Sequence, residues 1–135
     1  MSLVSWGLDY SVEVESLDRQ HQILFDMLNN LHDAMMQGKG TQLAPTILKN
    51  LVQYTREHFS REEGLMIQAH YPHYLQHKAE HDKLIAEVVE LVRELETSKV
   101  LLSTKLLDFL RDWLKSHILS SDKKYTVYLQ AAGIH

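Results

Sequence analysis

The chain has 135 residues, enough for one hydrophobic core and the size of one domain. Its 44% hydrophobic and 24% charged residues are ordinary for a globular protein, and a net charge of -4 gives no basic footprint for nucleic acid or an anionic membrane. With no cysteine, disulfides, thiolate metal sites and cysteine nucleophiles are excluded, and nine histidines are the one compositional oddity.

Residues 1–16 read as an ordered, extended arm: Val12 and Val14 alternate with Ser11, Glu13 and Glu15, and Trp6 and Tyr10 are large groups that need a surface to pack on. These first residues carry acids and lack the basic and apolar regions of a signal peptide. No apolar run approaches the roughly 18 residues of a membrane span. The expected compartment is therefore the cytoplasm.

A first helix is expected over 17–37, stopped by Gly38 and Gly40. Its apolar seam is Leu17, His21, Leu24, Leu28, Leu31 and Met35, which puts a histidine in a core position. A second helix opens after Thr41 with Pro45 in its first turn and ends between Gly64 and Pro72. Its seam is Ile47, Leu51, Tyr54 and His58, with Glu62 one turn on.

The third helix is expected over 72–96. Here His77 and His81, four apart, share a face with Tyr74, Leu84, Val88, Leu91 and Leu95. The fourth begins near Lys99 or Leu102, ends at Leu119, and turns Leu102, Leu106, Leu110, Trp113 and His117 inward. Asp122 lies five residues after His117, a rotation of roughly 140° on a regular helix. The two can face one site only if the helix breaks near Ser120 and Ser121. A short tail closes the chain with Tyr125, Tyr128 and Leu129. The expected fold is all-α: an up-down-up-down four-helix bundle filling residues 1–135 as one domain, with an extended N-terminal arm and a short C-terminal tail.

In such a bundle the starts of odd helices and the ends of even helices meet at one end. His21, His58, Glu62, His77, His81, His117 and Asp122 then fall in a single layer of the core. Five imidazoles and two carboxylates exceed the four ligands of a tetrahedral zinc site. They suit two ions sharing bridging carboxylates, and mixed nitrogen and oxygen donors without thiolate suit iron or manganese. Without metal the layer holds buried anions and unpaired imidazoles, so metal is expected to stabilise the fold strongly.

His21 in DRQHQILF, His58 and Glu62 in HFSREE, His77 and His81 in HKAEHD, and His117 and Asp122 in WLKSHILSSD together resemble the ligand set of the hemerythrin family. The order and spacing resemble those of its bacterial single-domain members. The resemblance implies a di-iron centre with an oxo or hydroxo bridge. One iron would be held by His77, His81 and His117, the other by His21 and His58, with Glu62 and Asp122 bridging both. The iron on His21 and His58 would keep the open position where O2 binds reversibly, and Leu24 and Ile118 would line its pocket. Glu13 departs from the family's pattern, which often has Gly there, and puts the local conformation of the arm in question.

The function expected from this resemblance is reversible O2 binding, as carrier, store or sensor, without enzymatic turnover. The alternatives from other classes are a di-iron oxidase or peroxidase, a nitric-oxide-handling enzyme, and an iron store. No acid or base beyond the ligands stands out in the layer, which argues against the enzyme. A monomer is the default expectation, with a place inside a larger sensory receptor left open. Outside the layer, His32 lies about 16 Å along the helix from His21. His70, His73 and His135 read as solvated, Met35, Met36 and Met66 as packing residues, and Glu63 as solvent-facing.

Overall fold

The computed structural model describes residues 2–97 and 104–135. Four long helices carry the fold: α1 (Glu15–Met36), α2 (Gly40–Gln68), α3 (Tyr74–Glu96) and α4 (Thr104–Ser120). No strand occurs among the described residues. α1 packs on α2, α2 on α3, and α4 on α1. The fourth helix's expected start and the seam residue Leu102 lie outside the described residues.

α1 buries Leu17, His21, Leu24, Phe25, Leu28 and Leu31, while Met35 is only half-buried. The helix ends as its sequence requires: Gly38 takes φ 72°, Lys39 N–H bonds the Ala34 carbonyl and Gly38 N–H bonds that of Met35. These bonds satisfy carbonyls that a helix end leaves open.

In α2 the expected seam is displaced. Leu48, Thr55, His58, Phe59, Glu62 and Met66 are buried, whereas Ile47, Leu51 and Tyr54 are only partly so. The cause is that α2 packs against both α1 and α3, so its buried arc is wide and centred slightly off the apolar stripe. The helix also begins at Gly40, earlier than expected, which places Pro45 beyond its first turn. It closes like α1, except that the left-handed position is His70, φ 57°, with Tyr71 N–H bonding the Met66 carbonyl.

α3 buries His77, His81, Leu84, Val88 and Val92. In α4 the deeply buried residues are Leu107, Leu110, His117 and Ile118, with Leu106 and Trp113 half-buried.

The arm includes one turn of 3-10 helix, Leu8–Tyr10, and buries Val12 and Val14. Polar side chains of α1 hold it. Asp18 accepts from Ser11 Oγ and from Val12 N–H, and the Asn29 amide bonds both the N–H and the carbonyl of Val4. Glu13 sits at φ 59°, a left-handed conformation that an L side chain adopts at a cost of about 1 kcal/mol or more. The tail folds over the arm. A 3-10 turn, Asp122–Tyr125, leads into α5 (Thr126–Ala131), where Thr126 and Gln130 donate to the carbonyls of Val12 and Glu13. Tyr125 and Leu129 are fully buried, and Tyr128 is partly exposed. No helix among the described residues is long and apolar enough to cross a membrane.

Candidate metal centre

Every buried histidine, aspartate and glutamate among the described residues belongs to one layer: His21, His58, Glu62, His77, His81, His117 and Asp122. His21 lies early in α1, His58 and Glu62 late in α2, His77 and His81 early in α3, and His117 late in α4. Helices that alternate in direction bring those positions together. Asp122 joins them because α4 stops at Ser120. Ser121 N–H still bonds the His117 carbonyl at 2.8 Å, and the tighter 3-10 turn that follows swings Asp122 inward.

The donor atoms form two groups. One ligand atom each from Glu62, His77, His81, His117 and Asp122 lie within 4.8 Å of one another, as do those from His21, His58, Glu62 and Asp122. The two carboxylates belong to both groups. Glu62 Oε1 stands 3.3 Å from His81 Nε2, while its Oε2 stands 3.4 Å from His21 Nε2 and 3.5 Å from His58 Nε2. Asp122 Oδ1 lies 2.9 Å from His77 Nε2 and 3.1 Å from His117 Nε2, and its Oδ2 lies 3.1 Å from His21 Nε2. Each carboxylate thus turns one oxygen to each group.

The spacing fits cations. Donors at right angles around an ion, each bonded at roughly 2.1 Å, stand about 3 Å apart. The hydrogen bonding points the same way. His21 Nδ1 and Nε2, Glu62 Oε1, His77 Nε2 and both oxygens of Asp122 are buried without a hydrogen-bond partner. His81 Nε2 and His117 Nε2 face each other at 3.1 Å. Buried polar atoms are nearly always satisfied, so this concentration of orphans implies a ligand that takes their lone pairs.

Without metal the layer's charges must settle among themselves. Burial opposes a charged His21, but Asp122 and Glu62 outweigh it and push the imidazole up to about 10. His117 is raised against the same burial penalty by Asp122. Burial lowers His58 and keeps it neutral. Burial would raise both carboxyls, yet the surrounding histidines hold Glu62 and Asp122 well below the usual carboxylate range. Tyr125, fully buried, is pushed up by burial and by the two anions, and its hydroxyl donates to Glu62 Oε2 at 2.5 Å.

Aromatic rings wall the layer. Phe59 stacks on His81 with ring centroids 3.6 Å apart, and Trp113 stacks on His117 at 4.5 Å. Beyond them lies an apolar cavity of about 50 Å³, lined by Leu24, Leu28, Phe59, Val88, Leu110 and Trp113 among others. Leu24 therefore lines a space beside the layer. Ile118 is fully buried next to His117 but is not part of that lining.

Among the other histidines, His32 stands beside Asp33, away from the layer, while His70, His73 and His135 are exposed. Met66 is a buried packing residue. Glu63 departs from the sequence expectation. It is not solvent-facing but mostly buried, and its Oε2 accepts from His81 Nδ1–H at 2.8 Å. Residue 63 lies about 100° around α2 from Glu62, which on a helix packed against α3 aims it at His81 and not at water. Gln20 does the same for His58, accepting from Nδ1–H at 2.6 Å. The sequence signal for both was their position next to an inward residue, since a metal-facing imidazole needs a partner for its other nitrogen. Tyr125 is the apolar contact that its sequence position implies, and its hydroxyl gives it a second role.

Residues 12–129 match the family described as hemerythrin HHE cation binding domain. The chain is 34% identical to the bacteriohemerythrin of Methylococcus capsulatus over 132 residues, covering 97% of this chain and all of that protein. It is 32% identical to a hemerythrin of Sipunculus nudus, covering 89% of this chain and 88% of that one. Among solved structures, a wild-type hemerythrin superposes with a TM-score of 0.89 at 33% identity, covering 95% of this chain and 98% of the other.

Proposed function

The chain belongs to the hemerythrin family, oxygen-binding proteins with a non-haem di-iron centre and not enzymes, and on that premise we propose that it binds O2 reversibly as a carrier, store or sensor. The observation that carries this reading is the pair of carboxylates shared between two donor groups of unequal size. His77, His81 and His117 would hold one iron and His21 and His58 the other, with Glu62 and Asp122 bridging. The two-histidine group has one protein donor fewer and leaves room for a small ligand. When bound, the iron pair supplies the electrons and the open coordination position for reversible O2 capture.

The chain's own residues do the rest. Glu62 and Asp122 neutralise charge that would otherwise repel between two cations. Phe59, Trp113 and Leu24 keep the surroundings apolar, which excludes water and protons that promote irreversible oxidation. Tyr125 fixes one bridging carboxylate by donating to it. His81 and His58 are held in the tautomer with Nε2 free by Glu63 and Gln20. The compartment we propose is the cytoplasm.

The test is anaerobic loading with iron(II), a metal count, and optical spectra before and after air. Two irons per chain and a visible band that appears with O2 and vanishes on degassing are expected. Direct conversion to a stable ferric product would overturn reversible binding. A count far from two would overturn the di-iron assignment.

A further inference from the structure

The ring nitrogen that a histidine presents to a metal is decided by what its other nitrogen does, and that outer partner also sets how strongly the ring donates. The two halves of this centre are treated differently. On the two-histidine side, His58 Nδ1 donates to the neutral amide oxygen of Gln20, and His21 Nδ1 has no partner. On the three-histidine side two of the rings have a carboxylate outside them, one bonded and one nearby. His81 Nδ1 donates to Glu63 Oε2 at 2.8 Å, and His117 Nδ1 stands 4.0 Å from Glu80 Oε1. The Glu80 carboxylate is in turn held by Ser121 Oγ at 3.0 Å.

We propose that Glu63 is a positioning residue for the three-histidine half: its hydrogen bond keeps His81 Nε2 bare and inward, and its charge makes that half the stronger electron donor. This rests on the two-iron reading above. Its hydrogen-bond partner is His81, and its side chain is 17% exposed, so water screens the contact little. His81 itself is 1% exposed and stacked on Phe59, so the stack fixes the plane of the ring and the bond to Glu63 fixes which nitrogen faces inward. A carboxylate on the distal nitrogen sends electron density through the ring toward the metal, where an amide does so weakly. The chain therefore builds electronic asymmetry into a site whose inner donors alone differ by one histidine. The higher oxidation state is thereby favoured on the three-histidine side over the two-histidine side.

The experiment compares the iron-loaded wild-type protein with Glu63→Gln, which keeps an acceptor and removes the charge, and Glu63→Leu, which removes both. Release of each iron to a chelator, the reduction potential of the loaded protein, and the thermal stability of the metal-free protein are read together. Glu63→Leu is expected to release one of its two irons about 10- to 100-fold faster, the loss seen when outer partners of ligating histidines are removed. Glu63→Gln is expected to hold both irons more nearly as the wild type does, with its potential shifted positive. Wild-type release rates and an unchanged potential in both variants would overturn the proposal. So would a fall in metal-free stability with neither of the other readouts moved, because that is the signature of a merely structural glutamate. Should Glu63→Leu fail to fold, the near-isosteric Glu63→Gln still carries the potential measurement. A wild-type protein that does not take two irons would overturn the two-iron reading instead, and this proposal with it.

Discussion

Tyr125→Phe removes one oxygen from a ring that is fully buried, leaving packing and shape almost unchanged. The lost group donates to Glu62 Oε2 at 2.5 Å, and Glu62 is itself 0% exposed, so no water can take its place. A hydrogen bond to a charged acceptor contributes about 1.5–3 kcal/mol. The metal-free variant should therefore lose about 2 kcal/mol, which at a slope of about 2 kcal/mol/M lowers the urea midpoint by about 1 M. With two irons bound, the same carboxylate shares its charge with cations and becomes a poorer acceptor, so the loss should shrink to about 1 kcal/mol or less. Urea unfolding followed by circular dichroism, on wild type and variant with and without iron, closes a cycle that isolates the coupling. The acid limb offers a second readout. Glu62 titrates below its ordinary range in the fold, so its contribution is present above an unfolded value near 4.5 and is lost as pH falls through the folded one. Removing the donor raises the folded value, and acid unfolding of the metal-free variant should begin at higher pH. Equal losses with and without iron would refute coupling through Glu62, and a metal-free loss below about 0.5 kcal/mol would refute the hydrogen bond itself.

Metal-free protein should lose stability as pH rises from 6.5 toward 10, because burial-opposed ion pairing with Asp122 and Glu62 raises His21 to about 10 and its contribution is full only below the unfolded value. His58, lowered by burial, acts only below that window. A flat urea midpoint from pH 7 to 10 would contradict the His21 pairing. His70→Gly and Glu13→Gly relieve left-handed conformations at φ 57° and 59°, and each should stabilise by about 1 kcal/mol, a rise in Tm of about 3 °C. A lower Tm for either would show that side-chain contacts outweigh backbone strain there. Ile118→Ala opens a hole in a fully buried position and should cost about 2–4 kcal/mol. If Ile118 also shields the centre, the variant's iron should oxidise faster in air, and an unchanged rate would exclude it from that role.

The heptad-like spacing of apolar residues is a property of single helices, so it was legible along the chain. Leu17 through Leu31 in α1 and Leu84 with Val88 in α3 are buried as that spacing requires. So is the layer of seven polar residues, because helix ends alternate between the two ends of a bundle whatever the packing details. The need for α4 to break before Asp122 followed from a rotation angle alone. What the chain could not reveal depends on more than one element at a time. The buried arc of α2 shifted because two neighbours, α1 and α3, cover it. Asp18 and Asn29 bind the arm through backbone groups that no side-chain pattern marks. Glu63 looked like an exposed acid because helical rotation says how far a residue lies from the seam but not that a histidine on the facing helix waits there. The hydroxyl of Tyr125 reaches Glu62 across 63 positions of sequence. Periodicity fixes which face of a helix turns inward. The partner found there is decided by how the helices are set against one another, and in this protein that packing completes the centre.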